Sequence, residues 1–264
     1  MVCALSASST SIFFRKEPHS HHFQRKRFVS IRACTSAASP PDNINGSKVE
    51  YTPWLIAGLG NPGNKYSGTR HNVGFEMIDR ISQEEGIIMN IIQSKCLIGI
   101  GSTGEVPILL AKPQTYMNFC GESVGALAAY YQVPLRHILL VYDEMSLPNG
   151  VLRLQPKAGH GYHNGVFCQA AQLIVFLSPC RVKSVMAHLD GRREFPRLCI
   201  GIGNPPGTMD VKAFLLQKFS SLERQQIDIA LEQGVEAVRN LVLNGFDQSI
   251  ERFNLGQKYK FHKV

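Results

Sequence analysis

No stretch of this 264-residue chain approaches the roughly 20 uninterrupted apolar residues that a membrane-spanning helix needs. Runs such as Ala126 to Tyr131 and Leu173 to Leu177 stop far short, so no membrane partner is expected. The sequence also lacks any C-x-x-C pair. Its seven cysteines, Cys3, Cys34, Cys96, Cys120, Cys168, Cys180 and Cys199, are scattered, which signals neither a zinc site nor a disulfide framework and suits a reducing compartment. Tryptophan occurs once and charged residues make up only 18%, but 44% of the chain is hydrophobic, enough for a full core and too much for a disordered chain.

Acidic residues are scarce at the start. From Met1 to Ala38 six basic residues (Arg15, Lys16, Arg25, Lys26, Arg27, Arg32) stand against Glu17 alone, so this stretch carries +5 of the formal +8 and leaves +3 for the remainder. The body is mildly basic, and any RNA contact there must rest on a local patch rather than the overall field. The first forty residues are rich in Ser, Arg and Lys and lack the apolar run of roughly 7 to 15 residues that a secretory signal requires. Residues 1–38 therefore read as an organelle transit segment. Ile31-Arg32-Ala33-Cys34 resembles plastid processing sites, so the chloroplast stroma is the expected destination, with mitochondrial import and an address-free tail as alternatives. Residues 39–50, with Pro40-Pro41 and Asn45-Gly46, form a linker, and a domain spans 51–264.

Within that domain strand-like and helix-like pieces alternate, as in an α/β fold. Trp54 to Gly58, Leu97 to Gly101, Pro107 to Lys112, His137 to Tyr142, Val151 to Leu154 and Arg197 to Gly203 read as strands. The second and third are expected to form a hairpin around Thr103-Gly104. Val73 to Ile81 and Gly121 to Tyr131 read as helices. Ser220 and Glu223 form a capping box for a long helix with Leu222, Ile227, Ala230, Leu231, Val235, Val238 and Leu241 at helical spacing, stopped by Asn244-Gly245.

Three polar constellations interrupt this frame. Gly58-Leu59-Gly60-Asn61-Pro62-Gly63 matches the dinucleotide pattern G-x-G-x-x-G, yet Pro62 and the polar stretch Asn64 to Arg70 delay the helix that should receive a pyrophosphate, so no dinucleotide cofactor is expected. The glycines still demand a tight turn that displays Asn61 at a strand end. Thr69-Arg70-His71-Asn72 stands at a helix start, where a histidine is often only a surface or capping residue. The third set comprises Lys112-Pro113-Gln114-Thr115-Tyr116-Met117-Asn118, Asp143-Glu144 and Gly159-His160-Gly161-Tyr162-His163-Asn164-Gly165, each following a strand and each explicable singly as a turn.

Together, GLGNPG, YSGTRHNVGF, KPQTYMN and HGYHNG resemble the bacterial-type peptidyl-tRNA hydrolase family, over essentially Tyr51 to Val264. The resemblance implies a single α/β domain with a central mixed β-sheet flanked by helices, and an enzyme that cuts the ester joining a peptide to the terminal ribose of tRNA. It places His71 on the family's general base and Asp143 on the carboxylate that orients it. Asn61, Asn118 and Asn164 fall on substrate-positioning amides, with Tyr66 and Met117 lining the same cleft. No metal and no cofactor are implied. Flanking text, including Tyr51-Thr52-Pro53-Trp54, Ala128 to His137, Phe214 to Phe219 and Arg252 to Phe261, resembles one plant branch of that family, the chloroplast group II intron splicing facilitators. Members of that branch act on intron RNA with CRM-domain splicing cofactors, so two functions from different classes stand: splicing facilitator, and active organellar hydrolase. A dinucleotide-dependent oxidoreductase is the remote third. Exposed apolar residues on the helices are expected to supply the protein-partner surface.

Two departures from the hydrolase pattern are Ala158 and Tyr162, where the family usually has glycine. Residues 166–181, VFCQAAQLIVFLSPCR, fit neither branch, being apolar and uncharged until Arg181. They are read as a retained intron or gene-model error, or else as a genuine insertion packed as an extra strand. For RNA contact the candidates are Lys65 and Arg70 near the cleft, and Lys183, Arg192, Arg193 and Arg197 later in the chain.

Overall fold

The computed structural model describes residues 52–116, 119–157, 182–246 and 248–260. Seven strands form one mixed sheet in the order β2-β3-β4-β1-β5-β7-β6. They are β1 (Trp54–Gly58), β2 (Ile91–Gln93), β3 (Cys96–Thr103), β4 (Val106–Pro113), β5 (Ile138–Glu144), β6 (Leu152–Gln155) and β7 (Arg197–Gly201). The four inner strands β4, β1, β5 and β7 are parallel to one another, and β2, β3 and β6 join antiparallel at the edges. Parallel strands buried on both faces read as unbroken apolar runs, which is why WLIAG and ILLVY are so legible.

Alternate residues of each strand supply two cores. Ile56, Leu110, Val141 and Ile200 face α1 (Val73–Glu84), α3 (Val211–Leu216) and α4 (Ser221–Asn244). Leu55, Ala57, Ala111 and Leu140 face α2 (Cys120–Tyr130) and the helical residues 182–187. The result is a three-layer α/β/α sandwich. Each fully buried aliphatic side chain contributes roughly 1.5 to 3 kcal/mol, and Val73, Met77, Ile78 and Ile81 bring α1 to the sheet on that basis.

The capping box on α4 is present: Ser220 Oγ accepts from the Glu223 amide, and Glu223 Oε2 accepts from the Ser220 amide. Gly245, at φ 72°, ends the helix. The β3–β4 hairpin turns at Gly104 and Glu105, as its sequence suggested. Leu222 is a correction: it is 66% exposed rather than part of the α4 apolar face. It lies in the first turn, before the helix reaches the core.

Three elements had no counterpart in the sequence reading: β2, α3 and α5 (Gln248–Lys258). The last covers an edge. Asn254 Oδ1 accepts from the Leu154 amide at 2.9 Å while its Nδ2 donates to the Leu154 carbonyl at 2.8 Å, and Gln257 Oε1 accepts from the Leu152 amide. These side chains stand where an eighth strand would pair and satisfy backbone groups that an open edge would leave to water or another chain. The opposite edge, β2, carries exposed isoleucines instead: Ile88, Ile91 and Ile92, with Ile100 on β3 beside them.

Candidate functional site

The site grows from the carboxyl ends of β1 and β5, neighbours at the centre of the sheet, where ligands of open α/β sheets gather. A Cβ on Gly58 would lie 2.4 Å from the Gly74 carbonyl oxygen, and one on Gly74 would lie 2.6 Å from both the Leu59 and Val141 carbonyl oxygens. Two missing side chains thus let the start of α1 rest directly on the backbone of both strands. The polar residues just before α1 are thereby delivered to the strand ends.

Between β1 and α1 the chain makes two short 3-10 turns, Asn64–Tyr66 and Arg70–Asn72. Gly63 precedes the first with φ 101°, a conformation closed to residues with a Cβ. Thr69 ties the turns together, its Oγ1 donating to the Tyr66 carbonyl at 2.7 Å. This loop, between the last glycine of the G-x-G-x-x-G match and α1, leaves no helix N-terminus next to the glycines and removes the dinucleotide reading.

His71 Nδ1 lies 3.1 Å from Asp143 Oδ2, and both side chains are 2% exposed. A carboxylate only accepts, so Nδ1 carries the proton and Nε2 is the basic nitrogen. Asn61, 7% exposed, comes to the same place by a reciprocal pair: its amide donates to Asn72 Oδ1 at 2.9 Å, and Asn72 Nδ2 donates to its carbonyl at 2.9 Å. Tyr66, half-buried in the first of the two 3-10 turns, has the Lys65 ammonium 4.8 Å over its ring. The hydrogen bond to Tyr66, then its charge, raises the Lys65 pKa. His71 and Asp143 are thus brought into contact, and the Asn61 backbone is held by Asn72, the residue after His71. Met117, Asn118 and Asn164 lie outside the described residues, as do Ala158, Tyr162 and residues 166–181.

Arg70 and Arg197 do not face solvent as RNA candidates. Arg70, 5% exposed, donates to Glu223 Oε2 at 2.8 Å and packs its guanidinium over Phe214 and Phe219, at 4.4 and 5.0 Å. Arg197, 8% exposed, donates to the Tyr142 hydroxyl, Gln155 Oε1 and the Lys157 carbonyl. Both cations are used inside the fold rather than at its surface. Lys65, Lys183, Arg192 and Arg193 remain at the surface.

Two contributors escaped the sequence reading. Asn72 was seen as part of a polar run without a task, and Glu223 only as a helix cap. Their partners lie 11 and 153 residues away, so no local pattern announces them. Among the described residues no cluster of three or more His, Cys, Asp or Glu side chains is placed to hold a metal, and no helix is long and apolar enough to cross a membrane.

A buried histidine–carboxylate pair whose Nε2 is the basic nitrogen has the groups to take a proton from water. The chain is 66% identical over 251 residues to a chloroplastic group IIB intron splicing facilitator of Arabidopsis thaliana, covering 94% of this chain and 97% of that protein. It is 45% identical over 245 residues to the chloroplastic peptidyl-tRNA hydrolase of the same plant, covering 93% and 76%. The crystal structure of peptidyl-tRNA hydrolase from Acinetobacter baumannii superposes with a TM-score of 0.65 at 31% identity, covering 79% of this chain and 97% of that one. The family model for peptidyl-tRNA hydrolase matches residues 55–173 and 180–262, and with the fold shared as well, this chain belongs to the peptidyl-tRNA hydrolase family.

Proposed function

We propose that this protein is a chloroplast group II intron splicing facilitator built on the peptidyl-tRNA hydrolase fold. The observation that carries the reading is the difference in identity: 66% to a facilitator over nearly the whole of both chains, against 45% to a chloroplastic hydrolase. Residues 1–38 act as the transit segment, 39–50 as the linker, and the protein works in the stroma. RNA immunoprecipitation from stroma tests it: enrichment of intron-containing group II transcripts supports the reading, and their absence from the precipitate, with tRNA recovered instead, overturns it.

The CRM-domain cofactors of that branch need a protein surface. Ile88, Ile91 and Ile100 beside the β2 edge offer one, with Ile92 on the other face of the same strand, and Ile88 and Ile92 are more than 70% exposed. An apolar cluster at an unpaired strand edge is costly to leave in water and suits a partner segment. Ile88→Asp combined with Ile92→Asp is expected to abolish cofactor binding in a pull-down without unfolding the chain.

The second reading, peptidyl-tRNA hydrolysis, is favoured by the His71–Asp143 pair itself. Water attacks the ester carbonyl carbon while His71 Nε2 takes its proton. The carboxamides of Asn61, Asn118 and Asn164 stabilise the oxyanion and hold the peptide backbone. Collapse expels the ribose hydroxyl oxygen, which receives the proton from His71, and Asp143 steadies the imidazolium throughout. Single-turnover hydrolysis of an N-acylated aminoacyl-tRNA, with and without residues 166–181 and with His71→Ala as control, tests this. Cleavage that survives His71→Ala removes the assignment of the base. Cleavage by the shortened protein alone assigns the silence of the full chain to the inserted residues.

A further inference from the structure

The three residues Arg70, His71 and Asn72 occupy one 3-10 turn. Such a turn has three residues, so consecutive side chains leave it about 120° apart. Each one engages a different part of the fold. Arg70 reaches the start of α4, His71 reaches β5, and Asn72 reaches the loop after β1. The middle residue is the functional one, and the outer two are anchored more elaborately than the packing of a loop requires.

The Asn72 anchor is a two-point bond to the Asn61 backbone, made possible because Gly60 has no side chain: a Cβ there would stand 3.0 Å from Asn72 Oδ1. The Arg70 anchor has three components. Its backbone amide donates to the Gln217 carbonyl, and Thr69 next to it bridges Lys218. Its guanidinium lies over Phe214 and Phe219, and its Nη2 meets Glu223 Oε2. That same oxygen accepts from the backbone amide and hydroxyl of Ser220. The carboxylate therefore locks the helix cap and the His71 segment to each other.

We propose that Arg70 and Glu223 are positioning residues that hold the His71 ring in hydrogen-bonding register with Asp143, and that the Glu223 charge, not merely the cap it completes, is required. A buried guanidinium without its carboxylate is strongly destabilised where it lies. It then leaves its place between the phenylalanines toward water and turns the short helix that carries His71. The proposal gives meaning to the proposed site and rests on His71 being its functional histidine, but its test needs neither substrate nor RNA.

The readout is the His71 Nδ1 proton in the NMR spectrum of the full-length chain, assigned by its disappearance in His71→Gln. Glu223→Gln preserves a capping-box residue at that position while removing the charge. Ser220→Ala removes the cap side chain while leaving the ion pair. In Glu223→Gln the proton is expected to exchange with water about tenfold faster than in the parent, the consequence of weakening one charge-assisted hydrogen bond. In Ser220→Ala it stays at the parental rate despite a lower melting temperature. Arg70→Lys, which cannot both stack and reach Glu223, behaves like Glu223→Gln. Parental exchange in a folded Glu223→Gln overturns the proposal. So does equal acceleration in Ser220→Ala, which would reduce the pair to general stability. Failure of hydrolysis or splicing assays leaves this measurement intact, so the two readings fail separately.

Discussion

Replacing Gly74 by alanine is a sharp test of how α1 is seated. Within a helix the change is favourable by about 1 kcal/mol, because glycine loses more backbone freedom on folding. Here the added Cβ would meet the carbonyl oxygens of Leu59 and Val141 at 2.6 Å and the Leu59 nitrogen at 3.0 Å, against 3.4 Å or more in ordinary contact. All three neighbours are backbone atoms of the loop after β1 and of β5, so none can rotate aside. The helix must lift by about 0.8 Å, and overpacking of this kind costs about 1 to 3 kcal/mol. The net expectation is a loss of up to about 2 kcal/mol after the helix gain is offset. Gly256 on α5 is the control, since a Cβ there meets nothing within 4 Å. Gly256→Ala should gain about 0.5 to 1 kcal/mol. Urea titration with unchanged slope reads both. A Gly74→Ala midpoint at or above the parent's would refute the claim that the helix is pressed on the strand backbones.

Glu223 titrates under the grip of Arg70, whose hydrogen bond leads the causes that hold its carboxyl at about 2 instead of 4.5. A carboxyl with a depressed folded pKa stabilises above its unfolded value, so its contribution is complete above about pH 4.5 and is lost as the pH falls toward 2. Its side chain is 30% exposed, and solvent screening reduces the contribution to about 1 to 2 kcal/mol. The stability gap between the parent and Glu223→Gln should therefore shrink below pH 4.5, and a gap that stays constant from pH 6 to pH 2.5 would contradict the pairing. Asn254→Ala strips the edge of β6 of both partners of Leu154, and should cost about 1 to 3 kcal/mol with faster hydrogen exchange at the Leu154 amide. Unchanged exchange there would mean that α5 does not protect the edge.

The sequence by itself determined the inner strands, the capped helix α4 and the order of the polar motifs. Buried parallel strands write themselves as continuous apolar runs, and a capping box spans only three residues, so both are local signals. His71 and Asp143, which meet at 3.1 Å, were legible as a pair only through the family resemblance of the motifs that carry them. The elements that escaped have physical reasons for their silence. The strand β2 is three residues long and exposes its isoleucines, so no alternation marks it. The helix α3 is six residues long, capped by Asp210 Oδ1 on the Ala213 amide, too short for a period to show. The helix α5 holds the edge of β6 through Asn254 and Gln257, and of its described residues only Ile250 and Phe253 turn to the core, too few for a period to show. Only the tertiary structure decided which way the arginines point. Arg70 and Arg197 have the composition of RNA contacts, and Lys65 and Arg192 differ from them in nothing that the sequence displays. What turned the first two inward was a carboxylate 153 residues away, and a tyrosine hydroxyl 55 residues away with a glutamine beyond it. A charge is local, but its partner is a property of the whole fold.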